Sequence, residues 1–148
     1  MSGRKRVLFV CIENACRSQM AEGFARHLHG DLIEAYSAGS RPTSVNPRGV
    51  KVMDEIGIDI SGHKSKSLAE FVEESFDYVI TLCGSPADGT CPVFPGETKE
   101  HLHWGLPDPA QAPGSDEEVL PVFRQVRDEI GARLDEFVTG LRREEDLP

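Results

Sequence analysis

The chain has 148 residues and a mass of 16.3 kDa, about one domain's worth of polypeptide and enough to bury a single core. At 39% hydrophobic and 28% charged residues it is neither the depleted mixture of a disordered chain nor a membrane protein. Its 16 Lys and Arg stand against 25 Asp and Glu, a formal charge of −9. That balance excludes nucleic acid and anionic lipid surfaces as expected partners, and any anionic substrate needs a local positive site.

The first apolar run, residues 7–12, is far shorter than the roughly 20 residues of a spanning helix and falls short of a secretory leader. No membrane association is expected, and a cytoplasmic location, where thiols stay reduced, is. In that setting Cys11, Cys16, Cys83 and Cys91 point to chemistry or metal binding rather than to a disulfide framework.

In chain order, residues 6–10 (Arg-Val-Leu-Phe-Val) lack polar alternation and predict a strand covered on both faces. A short loop follows, then a helix over 19–29, with Ser18 as N-cap, Met20, Phe24 and Leu28 at helical spacing and Gly30 as its stop. Residues 32–38 predict a second strand. Residues 47–56 predict a second helix stopped by Gly57, and 68–74 a short third one. Another buried strand is expected over 77–82. From 84 to 114 prolines and glycines concentrate, so a long surface loop is predicted, interrupted by a strand at about 101–104. The last helix is marked by Val119, Phe123, Val126, Ile130, Leu134, Phe137 and Leu141 and opened by the capping box Ser115-x-x-Glu118. Pro121 is expected near its first turn, and residues 142–148 are expected to fray. Strands alternating with helices predict an α/β fold: a single domain over residues 1–148, with a four-stranded parallel sheet and helices on both faces. Such sheets bind ligands at the carboxyl ends of their strands, and both Cys11 and Cys83 fall there.

Residues 11–18 read Cys-Ile-Glu-Asn-Ala-Cys-Arg-Ser, a Cys-x5-Arg-Ser between a strand and a helix N-terminus. A loop this tight turns successive backbone N–H groups inward, forming a nest for a tetrahedral oxyanion at the positive end of the helix. The expected oxyanion-binding set is therefore Cys11, Ile12, Glu13, Asn14, Ala15, Cys16, Arg17 and Ser18. Cys11 aimed into that field attacks as a thiolate, with Ser18 as a stabilising donor. Arg17 closes the nest with a planar fork. Asn14 is a residue type that tolerates positive φ. Read blandly, Cys11 is a small buried hydrophobe and Arg17 a surface residue; the strand-to-helix position favours the chemical reading.

This segment resembles the phosphate-binding loop of the low-molecular-weight protein tyrosine phosphatase superfamily, which includes the thioredoxin-coupled arsenate reductases. The resemblance covers nearly the whole chain, and the loop alone does not separate the two branches. It implies that Cys11 is the nucleophile and Arg17 the oxyanion clamp. A phosphatase needs one cysteine, whereas reducing an oxyanion takes two electrons and a second thiol. Thr81-Leu-Cys83-Gly84 matches the place where the reductases carry a cysteine pair, and Cys91 lies eight residues on. The implied relay runs from Cys11 to Cys83 to Cys91, with the final disulfide reduced by a thioredoxin-like donor.

The resemblance also implies a general acid at Asp108 of Asp108-Pro109, to protonate the oxygen that leaves as Cys11 attacks. Residues 109–113 contain no tyrosine to stack on an aryl substrate, which favours a small inorganic oxyanion such as arsenate. Asn14, Glu22 and Ser37 match a potassium site found in some members, but Lys66 stands where its acid would be, so no potassium requirement is expected. His63 is a candidate buttress and Cys16 a structural residue. No cofactor or metal is implied, and a monomer is expected. Two other functions compete: a phosphatase for phosphotyrosine or another phosphomonoester using Cys11 and Arg17, and a zinc module, which the Cys-x4-Cys and Cys-x7-Cys spacings fit poorly.

Overall fold

The computed structural model describes residues 3–84 and 92–145. Its four strands, β1 (Lys5–Cys11), β2 (Ile33–Gly39), β3 (Ser75–Cys83) and β4 (Glu97–Leu106), are all parallel and lie in the order β2-β1-β3-β4. The helices are α1 (Arg17–His29), α2 (Pro47–Asp54) and α3 (Asp116–Glu145). β1 has no polar alternation because neither of its faces meets water: Val7, Leu8, Phe9 and Val10 are all fully buried.

One face of the sheet presents Val7, Phe9, Ile80, Leu82 and Trp104 to a core shared with Met20 and Phe24 of α1, Met53 of α2 and Phe123, Ile130 and Leu134 of α3. The other face, with Leu8, Val10 and Val79, is covered by Leu68 and Phe71 of a 3₁₀ turn (Leu68–Phe71) and by Phe94. Helical elements thus cover both faces, unequally. The strand order places β2 on one side of β1 and β3 on the other, so the switch point lies at the carboxyl ends of β1 and β3. α2 is braced to α3 by Glu55, which receives a two-pronged hydrogen bond from Arg124 and one from Arg127 at 2.9 Å. The Arg124 contact is the first reason the Glu55 carboxyl is lowered to about 2.

Several elements differ from the sequence-based expectation. β4 spans ten residues rather than the four of 101–104, because it is an edge strand whose Glu97, Lys99, Glu100, His101 and His103 are exposed and read as loop. α1 begins at Arg17, its N-cap position is Cys16 and no side chain caps it, so Ser18 is not the cap. α2 ends at Asp54, two residues early, where the backbone turns through Gly57 at φ +81°. The helix expected over 68–74 contracts to the 3₁₀ turn, held by a Ser67–Glu70 capping box. α3 continues to Glu145 instead of fraying from 142, since Leu141 is buried and Arg142 pairs with Asp31 at 3.2 Å. Pro121 sits in its second turn.

Candidate active site

The loop between β1 and α1 is shaped by where its carbonyls go. Those of Ile12, Glu13 and Ala15 accept from the backbone N–H groups of Arg41 (2.8 Å), Thr43 (3.2 Å) and Asn46 (2.8 Å). The Asn14 carbonyl accepts from Ser65 Oγ at 2.8 Å and Gln19 Nε2 at 3.1 Å. Because C=O and N–H point oppositely across a trans peptide, these bonds turn the N–H groups of Glu13, Asn14, Ala15 and Cys16 the other way, into the concave side of the loop. Asn14 makes the turn in the left-handed region, at φ +51°. Gly39, at the end of β2, lets the loop pass closely: a Cβ there would stand 2.5 Å from the Ile12 carbonyl oxygen and 2.8 Å from the Asn14 nitrogen.

A buried hydrogen-bond chain orients the groups around Cys11. The Lys66 N–H donates to Asn14 Oδ1 at 2.9 Å, which fixes the amide so that Asn14 Nδ2 donates to Ser18 Oγ at 2.7 Å. Ser18 thus has its own hydrogen left for Cys11 Sγ, 2.8 Å away, and is the donor of that pair whenever Cys11 is a thiolate. Gln19 extends the chain: its Nε2 donates to Asn14 Oδ1 (2.9 Å) and to the Lys64 carbonyl (2.8 Å), leaving Oε1 to accept from His63 Nδ1 at 2.9 Å. Burial, opposed by Glu22 and reinforced by Lys66, holds the His63 imidazole below its ordinary value, so it donates as a neutral ring. His63 is therefore a buttress acting through Gln19. Gln19 itself was missed from sequence, since a glutamine in the first turn of a helix carries no signal of burial.

Beneath the chain lies the buried carboxylate of Glu22, which accepts from Ser37 Oγ and pairs with Arg26 at 2.8 Å. Lys66 Nζ stands 3.5 Å from both Glu22 Oε1 and Ser37 Oγ and donates to the Lys64 carbonyl at 2.9 Å. An ammonium thus lies beside Glu22 and Ser37, while the backbone N–H of the same residue holds Asn14.

Arg17 is 3% exposed, donates from Nη1 to the Leu106 carbonyl at 3.1 Å and holds Nη2 3.7 Å from Asp108 Oδ2. Asp108 caps a short 3₁₀ turn, Pro109–Gln111, its Oδ1 accepting from the Ala110 N–H at 3.0 Å. The Cys16 Sγ–H points at the same oxygen from 3.6 Å. Burial first, then the charges of Asp108 and Cys11, push the Cys16 thiol well up, so it stays protonated and suits a structural role. A pocket of about 260 Å³ opens above the loop, lined by Cys11, Cys16, Arg17 and Asp108 from the site and by Arg41 and Thr43 from its rim. Glu13 also lines it, its carboxylate drawn aside by a hydrogen bond from Thr43 Oγ1 at 3.2 Å. No aromatic residue is among the described residues that line it.

Cys83 closes β3. Val10 pairs with Thr81, so Cys11 and Leu82 continue side by side and Cys83 comes next, itself paired with Leu106. It is buried and disulfide-bonded, whereas Cys11 and Cys16 are free. Gly84 packs on Gly105 so closely that a Cβ would meet that backbone at 2.6 Å. Cys91 lies outside the described residues. Among those described, no three His, Cys, Asp or Glu side chains converge as a metal site, and no helix is long and apolar enough to cross a membrane.

A four-stranded parallel sheet whose first strand runs into a Cys-x5-Arg oxyanion-type loop, faced by an Asp-Pro from after the last strand, defines a class of cysteine enzymes of phosphate-like chemistry. The family model for low molecular weight phosphotyrosine protein phosphatase matches residues 6–147, and the chain belongs to that family. Within it, the chain is 50% identical over 134 residues to the arsenate reductase of Halalkalibacterium halodurans, covering 90% of this chain and 95% of that protein. Among solved structures it resembles an arsenate reductase in the phosphate binding state, with a TM-score of 0.77 and 38% identity over 92% of this chain and 98% of the other. It also resembles the thioredoxin-dependent arsenate reductase of Corynebacterium glutamicum, with a TM-score of 0.68 and 30% identity over 97% of this chain and 64% of the other.

Proposed function

We propose that the protein is an arsenate reductase that works by a three-thiol relay and is reset by a thioredoxin-like dithiol. The observation that carries the reading is the placement of Cys83 beside the oxyanion loop: β3 delivers it one position past the level of Cys11, and its partner Leu106 holds Arg17. A phosphatase has no use for that thiol, and the similarity to arsenate reductases over nine-tenths of the chain supports the same reading.

In this mechanism arsenate sits in the loop, its oxygens taking the inward N–H groups and the Arg17 fork. The Cys11 thiolate, to which Ser18 donates, forms an S–As bond as one oxygen leaves, protonated by Asp108 as water. The Cys83 thiolate then attacks Cys11 Sγ. An S–S bond forms, the S–As bond breaks, and its electron pair stays on arsenic, which departs as arsenite. Cys91 attacks Cys83 Sγ, releasing the Cys11 thiolate and leaving a Cys83–Cys91 disulfide. An external dithiol exchanges with that disulfide and restores both thiols. The output is arsenite, and the role this reading implies is arsenic detoxification.

The test is steady turnover of the reduced protein with arsenate, thioredoxin, thioredoxin reductase and NADPH. We expect one NADPH oxidised per arsenite formed, and Cys83→Ser should abolish this while sparing hydrolysis of p-nitrophenyl phosphate. Brisk phosphoester hydrolysis with no NADPH oxidation would establish the phosphatase reading instead.

A further inference from the structure

We infer that Arg41 forms an outer oxyanion subsite at the mouth of the pocket, which captures an anionic substrate before the loop receives it. A protein of formal charge −9 repels a dianion at long range, so some exposed cation at the entrance has to offset that field. Arg17 is poorly suited to capture, being buried at the floor beside Asp108. Arg41 is exposed, lines the pocket, and belongs to the segment stapled to the loop through its own N–H on the Ile12 carbonyl at 2.8 Å.

Its guanidinium is also uncommitted. Among the described arginines, Arg4, Arg6, Arg17, Arg26, Arg48, Arg124, Arg127, Arg133 and Arg142 each stand in an ion pair with a carboxylate. Arg41 and Arg143 do not, and Arg143 lies at the end of α3, away from the pocket. Glu13, an acid lining the same pocket, accepts from Thr43 and forms no ion pair with Arg41. Room exists as well: a volume of about 260 Å³ exceeds what one four-oxygen anion fills at roughly 30 Å³ per water-sized oxygen. The ligand class is a small tetrahedral dianion, for which arsenate and phosphate are equivalent in charge and shape.

This inference rests on the loop being an oxyanion cradle, and the experiment separates the two. Inorganic phosphate is titrated into the reduced full-length protein at low and at high ionic strength, with R41Q, R41K, R143Q and R17K compared by calorimetry. R41Q should weaken phosphate about threefold to tenfold at low salt, and by less than about twofold once salt has screened the rim. R41K should keep most of the affinity, and R143Q should match the wild type at both salts. R41Q binding as tightly as wild type, or R143Q losing as much as R41Q, would overturn the subsite. Unaltered phosphate binding by R17K, or none by the wild type, would instead contradict the cradle.

Discussion

Arg6 lies near the start of β1 and Arg17 beyond its end, at the start of α1, and the difference in how they are held separates an arginine that builds the fold from the one the proposed mechanism sets against a ligand. Arg6 donates to Glu34 at 3.1 Å, to Glu74 and to the Ser75 carbonyl, and its guanidinium stacks 5.1 Å from the Tyr36 ring and 4.8 Å from that of Phe76. The Tyr36 hydroxyl and then Arg6 hold the Glu34 carboxyl below its usual range. Carboxylates and rings thus already take up the Arg6 guanidinium, which lies away from Cys11. Arg17 is more deeply buried; it donates to the Leu106 carbonyl, and the Asp108 carboxylate stands 3.7 Å from it, beyond hydrogen-bond length. Burial alone therefore does not mark a functional arginine. What distinguishes Arg17 is a guanidinium that shares a pocket with Cys11 and whose carboxylate neighbour stands off.

Exchanging each arginine for lysine should break this comparison if it is wrong. Arg17→Lys loses the planar fork and should cut arsenate turnover by about 10²- to 10³-fold, with the urea midpoint nearly unchanged. Arg6→Lys should do the reverse, leaving turnover within about twofold and removing roughly 1–2 kcal/mol of stability, a figure already discounted for the partial exposure of its partners. Asp108→Asn should lower turnover about 10²-fold by removing the proton donor while phosphate still binds, since a negative charge has left the pocket. Equal loss in binding and turnover would show that Asp108 positions the anion rather than protonating the leaving oxygen.

Smaller effects concern the layer under the loop. With an ammonium already seated between Glu22 and Ser37, activity in potassium and in sodium at equal ionic strength should agree within about twofold. Lys66→Met should cost about 1–3 kcal/mol by leaving the buried Glu22 without that neighbour, and potassium should restore part of it. A several-fold activation of the wild type by potassium would contradict this. The least effect is a pH dependence. His63 is held below 6.5 in the folded state, so on acidification the unfolded chain takes up that proton first. The contribution of the neutral ring is complete above about pH 6.5 and lost as pH falls through the lower folded value. His63→Gln should flatten the stability profile in that window, as read by urea unfolding at stepped pH.

What was legible in the sequence follows the same physics. β1 and β3 could be read because burial on both faces leaves Val7, Leu8, Phe9 and Val10, and Val79, Ile80 and Leu82, as apolar runs without polar alternation, and α3 because its apolar stripe recurs every third or fourth residue over many turns. The loop was legible because a cysteine, an arginine and a helix start fall at fixed spacing directly after a strand. β4 was not, since an edge strand with five exposed polar residues looks like loop to any pattern based on burial. Ser18 misled for a related reason: serine before a helix usually caps it, but here α1 starts at Arg17, two residues earlier than expected, and the hydroxyl faces Cys11. Gln19 was invisible because its role depends on His63 and Asn14, 44 and 5 residues away, which only the fold brings to it.

The central claim is that a thiol relay, rather than a single cysteine, completes the chemistry. The most direct measurement is a thiol count and disulfide map of the fully reduced protein after one exposure to arsenate, with phosphate as control. The relay predicts loss of two thiols per chain, one arsenite released, a Cys83–Cys91 disulfide, and no change with phosphate. Survival of all four thiols with no arsenite formed would contradict it.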